Sequence, residues 1–339
     1  MNASIAIYSG SMSIYWSSIV IAFGLAACLC LALALYTANG GRSAAVLLLL
    51  PLALLFSIPL CRALHWYCHM EQYTGFFSAL TDYSSGSYCL PGALLGVWLA
   101  ALLVHKLGFA PSVGSLLDAF APGAALAIAF IRLGAIFGNT CRSKITFTSP
   151  LLRHLPLASA VTNSSGGVDY RFATFFVQFI IMLLLTVWLV KFHGRRSRIP
   201  MRSGSREGNV ARMFLLSYSA VEMVLDSTRY DSSFFPFNSF ISIAQVVGAL
   251  CVLGILIYYS VHAVKARGLR LYHFALWLAF LLTLGAAGYS EYMVQRHGSW
   301  YLGCYAVMSL GCYLMVLVVY QMYLLCCARK SKTRDAESA

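Results

Sequence analysis

Several polar side chains lie inside or at the ends of long apolar runs of this chain: Arg132, Glu222, Asp226, Arg229, Asp231 and Gln245. Charged groups are costly in hydrocarbon, so such residues usually face a cavity or a charged partner. Asp226 lies three residues before Arg229 and four after Glu222, so on a helix all three share one face. Arginine binds phosphate through paired hydrogen bonds, so this set predicts a site for a phosphate group.

The same residues also fit a purely structural hypothesis. Arg132 could pair with Asp226 or Glu222 and fix two helices together without any chemistry, or its side chain could extend to the membrane surface. Arg142 and Lys144 follow Arg132 closely in the sequence. Two arginines, two carboxylates and these further cations near one membrane face favour an anionic phospholipid headgroup as the ligand. Both interpretations remain open from the residues alone.

The elements that must position these residues are membrane helices. The chain has 339 residues, 60% hydrophobic and 10% charged, with a mean hydropathy of +0.75, whereas soluble domains are about one quarter charged. Backbone groups in lipid must be satisfied within their own segment, so long apolar runs form helices. The sequence predicts nine spans, at about 14–36, 44–64, 90–108, 116–138, 172–192, 209–226, 240–262, 272–291 and 300–327.

The distribution of basic residues predicts the orientation of these spans. The formal net charge is +13, and with the N-terminus outside, about two thirds of the Lys and Arg residues fall in inner loops or the C-terminal end. The richest inner segment is 191–212, which contains the run KFHGRRSRIPMRSGSR. The positive-inside rule therefore predicts an N-out, C-in topology. This pattern indicates contact with anionic membrane lipids and argues against nucleic acid as a partner.

The loops and the C-terminal part complete the predicted organisation. The predicted outer loops, 65–89 and 139–171, are too short for separate soluble domains. Residues 1–262 form a predicted seven-helix membrane core, residues 263–328 add two transmembrane helices at its periphery, and residues 329–339 form a cytoplasmic tail. The predicted fold is therefore an all-α polytopic membrane protein. The cysteine spacings resemble no zinc or redox motif, so neither a metal nor a cofactor is expected.

Five motifs along the chain resemble those of the prolipoprotein diacylglyceryl transferase family, in its divergent members from clostridia-like bacteria. They occur in order over roughly residues 12–260, and they are SIYWSSIVIAFGL, PGALLGVWLA, RLGAIFGNTCRSK, YRFATFFVQ, and GNVARMFLLSYSAVEMVLDSTRYD followed by SIAQ. They are similar, in turn, to the family's hWYGL helix, its HGGLIG segment, its RxGxFxxGxxxGR signature, its RhPxQlyE segment, and its YgxxRfxxExxR motif followed by SmgQ.

This resemblance implies a bacterial cytoplasmic-membrane enzyme with its active site facing outside and no cofactor. The family transfers a diacylglyceryl group from phosphatidylglycerol to the lipobox cysteine of a prolipoprotein, which forms a thioether and releases glycerol phosphate. Arg132 falls on the signature arginine, and Asp226 and Arg229 fall on the acidic residue and the last arginine of the fifth motif, so these three are the predicted catalytic residues. The predicted substrate-binding residues are Gly134, Asn139, Arg142, Glu222, Asp231 and Gln245.

The chain differs from the family at several motif positions. The family histidine falls on Pro91, the signature asparagine on Ala135, the opening tyrosine on Ser17, and an arginine of the fifth motif on Glu222, which reverses its charge. These differences leave a second hypothesis, a catalytically impaired homologue that binds phospholipid or a membrane partner. A third, an unrelated transporter or channel, is disfavoured because a transport path needs polar groups that reach deeper than this cluster.

Overall fold

The computed structural model describes residues 5–9, 12–81, 90–138, 140–162, 167–196, 201, 203–235, 238–298 and 300–327. The predicted site residue Asn139 lies outside these residues. The predicted tail 329–339 and the last part of the predicted outer loop 65–89 also lie outside them.

The described chain is mostly helical, and each of the nine predicted spans overlaps one helix, with bounds that differ by up to about five residues. The helices are α1 (Trp16–Ala38), α2 (Ser43–Cys68), α3 (Phe76–Thr81), α4 (Leu90–Lys106), α5 (Val113–Gly134), α6 (Pro150–Arg153), α7 (Thr174–Arg196), α8 (Asn209–Thr228), α9 (Ile243–Arg267), α10 (Leu271–Tyr292) and α11 (Tyr301–Cys326). Among them α3 and α6 are short connecting helices.

Seven of the described helices are long and apolar enough to cross a membrane: α1, α2, α5, α7, α9, α10 and α11. The apolar part of α4 is shorter, at Pro91–Lys106. Helix α8 is not among the seven, because Arg212, Glu222 and Asp226 interrupt its apolar character. The chain is thus a helical, multi-pass membrane protein, as predicted, while its N-out orientation stays a prediction.

Three small antiparallel sheets were missing from the all-α prediction. They pair β1 (Ile5–Ser9) with β2 (Met12–Tyr15), β3 (Ala158–Thr162) with β4 (Val168–Phe172), and β5 (Phe234–Phe235) with β6 (Asn238–Ser242). The second sheet lies in the predicted outer loop 139–171, and the third joins α8 to α9. Strands this short leave too little periodicity for a sequence pattern to detect, although their pairing satisfies the backbone groups of the connections.

Two buried clusters form the core, and α5 contributes to both. One cluster gathers residues of α1, α2 and α4 around α5. The other gathers α7, α8 and α9 around the opposite side of α5, and it includes Phe280 of α10 and Met315 of α11. The two C-terminal helices therefore pack into the same core as α8. The division of the chain at residue 262 stays a prediction.

Two glycines of the PGALLGVWLA motif allow α2 and α4 to pack closely. A Cβ atom placed on Gly92 would lie 2.5 Å from the backbone nitrogen of Cys61. One on Gly96 would lie 2.5 Å from the Cα atom of Ser57. Backbone atoms cannot yield as a side chain can, so small residues are required here, as they commonly are between membrane helices.

Helices α5 and α8 are joined by polar contacts near both ends. The carboxylate of Asp118, which is fully buried, accepts hydrogen bonds from the backbone N–H groups of Gly208 and Ala211 at 2.7 and 2.9 Å. A carboxylate at a helix N-terminus satisfies free N–H groups and complements the helix dipole. At the other end, Arg132 of α5 contacts Glu222 of α8. These two ties determine which face of α8 meets α5, and hence where the charged residues of α8 lie.

Candidate active site

Arg132 lies in the last turn of α5 and is only 9% exposed. Its Nη2 atom donates to Oε1 of Glu222 at 2.8 Å, so the structure contains one of the two pairings that the sequence left open. Its Nη1 atom donates to Sγ of Cys141 at 3.0 Å. Removing one partner of a buried ion pair leaves an uncompensated charge, so the loss of either Arg132 or Glu222 would destabilise the folded protein.

Arg229 follows directly after the end of α8 and reaches back to the same carboxylate. Its Nη1 atom lies 3.6 Å from Oε1 of Glu222 and 3.6 Å from Oδ1 of Asp226. The sequence prediction that Glu222, Asp226 and Arg229 share one helix face agrees with these distances. Arg132 and Arg229, the arginine pair, thus converge on a single oxygen atom of Glu222.

Asp231 ties the arginine pair to the segment after α5. Its Oδ1 atom accepts from Nε of Arg229 at 2.9 Å, and its Oδ2 atom accepts from the backbone N–H of Cys141 at 2.9 Å. Burial alone would raise the pKa of the Asp231 carboxyl, but the charge of Arg229 and these hydrogen bonds hold it below its usual value. Cys141 has a φ of 57°, in the left-handed region that few side chains adopt. This conformation directs both its thiol and its N–H toward the site.

Backbone pairing further fixes the segment after Cys141 against the end of α8. Ser143 forms an antiparallel bridge with Arg229. The backbone N–H of Lys144 donates to the Thr228 carbonyl at 2.8 Å, and the Tyr230 N–H donates to the Arg142 carbonyl at 3.1 Å. The chain on either side of the arginine pair is therefore joined as a short two-stranded ladder.

Two other predicted site residues, Arg142 and Gly134, make their contacts with neighbouring segments rather than with the arginine pair. The guanidinium of Arg142 donates to the carbonyl oxygens of Ala160 and Gly138 at 3.0 and 2.5 Å, and it lies 5.8 Å from the centre of the Phe175 ring. These contacts tie the start of the predicted outer loop to β3 and to the first turn of α7. Gly134 packs against α1, where an added Cβ would lie 3.3 Å from a backbone carbonyl oxygen, so its contact is one of helix packing.

Gln245 connects the start of α9 to α8. It forms a capping box with Ser242, in which each residue's side chain bonds to the other's backbone N–H, at 3.0 and 3.2 Å. Its amide nitrogen also donates to the Met223 carbonyl of α8 at 3.3 Å. Gln245 therefore holds α9 against the turn of α8 that carries Glu222.

Sequence reasoning missed two residues that complete the site. Gln178 of α7 is fully buried, and its amide nitrogen donates to Oε2 of Glu222. Cys141 contacts both Arg132 and Asp231. A glutamine inside an apolar helix is a usable signal, because an amide in lipid needs a partner. No comparable signal marks Cys141, since cysteine is also an ordinary core residue.

A small cavity of about 20 Å³ adjoins Glu222. It lies between α4, α8 and α9, and its lining residues are Pro91, Leu94, Tyr218, Ser219, Glu222, Ala244, Val247 and Gly248. The position that the resemblance gives to a histidine is thus occupied by Pro91 in the same cavity wall as Glu222. A cavity of this size holds about one water molecule, so it could admit a small reacting group beside the carboxylate. Among the described residues, no three His, Cys, Asp or Glu side chains are placed to hold a metal ion.

Comparisons with known proteins identify the family of this chain. A search of curated proteins gave no match. A family model described as prolipoprotein diacylglyceryl transferase matches residues 4–261, well over half of the chain. The matched range extends from the first strand into α9, and it contains every predicted site residue. The prediction made from the five motifs is confirmed, and the chain belongs to the prolipoprotein diacylglyceryl transferase family.

Proposed function

We propose that this protein transfers a diacylglyceryl group from phosphatidylglycerol to the lipobox cysteine thiol of prolipoproteins, at the outer face of the bacterial cytoplasmic membrane. The family supports a transferase role in lipoprotein biosynthesis. The observation that carries the proposal is the convergence of Arg132 and Arg229 on one oxygen atom of Glu222, at 2.8 and 3.6 Å. Two cations that meet at one carboxylate oxygen form a site that can hold another oxyanion.

The distances limit how far apart the two guanidinium groups can be. Because both contact the same oxygen atom, at 2.8 and 3.6 Å, their contacting nitrogens are at most 6.4 Å apart. One phosphate group can bridge such a separation by hydrogen bonds. Arginine geometry matches phosphate oxygens in pairs. The phosphodiester of phosphatidylglycerol would therefore bind between Arg132 and Arg229, and the acyl chains of the phosphatidylglycerol would extend into the surrounding bilayer.

In the proposed reaction, the lipobox sulfur attacks the carbon of the diacylglycerol part of the lipid that carries the phosphate ester. A carbon–sulfur bond forms, the carbon–oxygen bond breaks, and glycerol phosphate leaves with the bonding electron pair. Arg132 and Arg229 stabilise the charge on the departing phosphate oxygens. The same cations favour the thiolate form of the incoming cysteine.

Asp226 is our candidate for the group that receives the thiol proton. It is 4% exposed and lies beside Arg229. Its Oδ2 atom is buried and makes no well-formed hydrogen bond among the described residues, and the Ser242 side chain lies near this carboxylate. A carboxylate oxygen that is not held in a strong hydrogen bond can accept the thiol proton while the sulfur attacks the lipid carbon.

One observation favours a second candidate function, phospholipid binding without turnover. Glu222 places a carboxylate between the two arginines, at the position where the resemblance implies another cation, and Pro91 cannot act as an acid or base. In that case phosphatidylglycerol would copurify with the protein and be displaced by other anionic lipids, while a lipobox peptide would remain unmodified.

The deciding experiment follows lipidation of a lipobox substrate in bacteria depleted of their own transferase. We expect this protein to restore lipidation, and we expect Arg132→Ala and Arg229→Ala each to abolish it. Arg296→Ala is the matched control, because Arg296 is exposed and its ring contact is with Phe240 rather than with the arginine pair. Absence of lipidation by well-inserted wild-type protein would reject the proposal. Equal losses in all three variants would indicate general destabilisation.

A further inference from the structure

The two C-terminal helices contact the end of α8 next to the arginine pair. The family match ends at residue 261, before α10 and α11 begin. Yet Glu291 of α10 is 4% exposed and accepts a hydrogen bond from the hydroxyl of Ser227, which is 2% exposed. Ser227 lies between Asp226 and Arg229 in the sequence. A buried carboxylate from outside the matched region therefore touches the turn that carries two predicted catalytic residues.

The last turn of α8 shows why this contact matters. The final four carbonyl groups of a helix have no partner within it and must be satisfied from elsewhere. The Leu225 carbonyl accepts from the Thr228 hydroxyl at 2.8 Å, and the Asp226 carbonyl from the Arg229 N–H at 3.1 Å. The Thr228 carbonyl accepts from the Lys144 N–H at 2.8 Å. Three of the four are thus satisfied by the family-matched part of the chain.

The fourth carbonyl, that of Ser227, is satisfied by the C-terminal helices. The amide nitrogen of Gln295 and the hydroxyl of Tyr305 in α11 both donate to it, each at 3.3 Å. Gln295 lies in a π-helical turn, Met293–His297, that continues α10. Such wide turns re-aim side chains and are frequent at functional sites.

Gln295 connects three parts of this region at once. Besides the Ser227 carbonyl, its amide nitrogen donates to Oε1 of Glu291 at 2.9 Å. Its Oε1 atom accepts from Nζ of Lys144 at 2.8 Å, which ties α10 to the segment that carries Cys141 and Arg142. Both chain segments around the arginine pair are therefore held by one side chain from the C-terminal helices.

We propose that α10 and α11 form part of the active site, with Glu291, Gln295 and Tyr305 as positioning residues that fix the end of α8 and so the direction of Arg229. None of the three touches Arg132 or Arg229 in the contacts described above. Their effect on the arginine pair therefore acts through Ser227, in the turn between Asp226 and Arg229, and through Lys144 in the segment after α5. This inference rests on the proposed function for its activity measurement, although its lipid-binding measurement does not.

The activity test compares Glu291→Ala, Glu291→Gln and Ser227→Ala in purified protein, with the phosphatidylglycerol concentration varied. We expect Glu291→Ala to raise the KM for phosphatidylglycerol about tenfold, the effect of one lost hydrogen bond to a charged group. Glu291→Gln keeps an acceptor oxygen for the Ser227 hydroxyl and should restore the KM to within about threefold. The double variant of Glu291→Ala with Ser227→Ala should be no worse than Glu291→Ala alone, because Ser227→Ala removes only a contact that Glu291→Ala has already removed. Additive losses, or no rescue by glutamine, would overturn the inference.

A binding test separates this inference from the proposed function. The unfolding temperature is measured in detergent micelles that contain either phosphatidylglycerol or phosphatidylcholine. The proteins compared are wild type, Gln295→Ala, Tyr305→Phe and the control Arg296→Ala. We expect phosphatidylglycerol to stabilise wild type and the control equally, and the other two variants less. If wild type binds phosphatidylglycerol but does not lipidate the lipobox substrate, the proposed function fails. A weaker stabilisation of Gln295→Ala and Tyr305→Phe by phosphatidylglycerol would still support the positioning role. Equal stabilisation of all four proteins would reject a role for the C-terminal helices at the site.

Discussion

Replacing Glu222 by glutamine tests the central contact of the site with little change of shape. Glu222 is 5% exposed and contacts Arg132 at 2.8 Å and Arg229 at 3.6 Å. Breaking a buried ion pair costs about 3–5 kcal/mol. The glutamine oxygen can still accept one neutral hydrogen bond, worth about 1 kcal/mol. We therefore expect Glu222→Gln to lower the free energy of unfolding by about 2–4 kcal/mol in zwitterionic detergent.

The same change should strengthen the response to an anionic headgroup. Without the carboxylate, Arg132 and Arg229 lie close together with no shared anion, and a phosphate group that binds between them relieves this repulsion. Stabilisation by phosphatidylglycerol, measured as the shift in unfolding temperature relative to phosphatidylcholine, should thus be larger in Glu222→Gln than in wild type. The matched control is Glu71→Gln, since Glu71 is exposed. An unchanged lipid response in Glu222→Gln would refute the view that Glu222 occupies a phosphate site.

Two further predictions concern helix packing and pH. Gly92→Ala should destabilise the protein by several kcal/mol, since its methyl group would lie 2.5 Å from the backbone of α2. Gly285→Ala, with nothing within 4 Å of its added methyl group, should be neutral or stabilising by about 0.5–1 kcal/mol in the same thermal unfolding assay. The pKa of Asp231 is lower in the folded protein than in the unfolded chain, so the ionised carboxylate stabilises the fold. This stabilisation is complete above the ordinary aspartate pKa of about 3.9. It is lost as the pH falls from there through the lower pKa of the folded protein. The difference in unfolding temperature between wild type and Asp231→Asn should therefore persist at pH 5–7 and shrink below about pH 3.9; a difference that disappears already at pH 5 would contradict this assignment.

The helices were predictable because lipid leaves an apolar segment no other way to satisfy its backbone. The predicted span at 116–138 coincides with α5, and the span at 272–291 coincides with α10. The β3–β4 sheet was not predicted, because its five-residue strands, such as Val168–Phe172, show no pattern beyond that of an irregular loop. Motif order identified the family without any knowledge of contacts.

The candidate site was only partly accessible from the sequence. The sequence was enough to place Glu222 and Asp226 on one helix face, because residues four apart are neighbours on the surface of any α-helix. Which of them pairs with Arg132 depends on how α5 packs against α8, and the sequence left that choice open. Gln178 and Cys141 come from other elements, and their contacts with the charged cluster arise only when α7 and the segment after α5 pack beside it.

The sequence by itself determined that the chain is a multi-pass helical membrane protein of a recognisable transferase family, since both conclusions rest on residue type and order along one chain. Only the tertiary structure decided that Arg132 and Arg229 meet at one oxygen of Glu222. Likewise, only the tertiary structure brought Glu291 and Gln295 against Ser227, across more than sixty residues of sequence. The physical reason is that a buried charge selects its partner by proximity and desolvation, which depend on helix packing rather than on sequence distance.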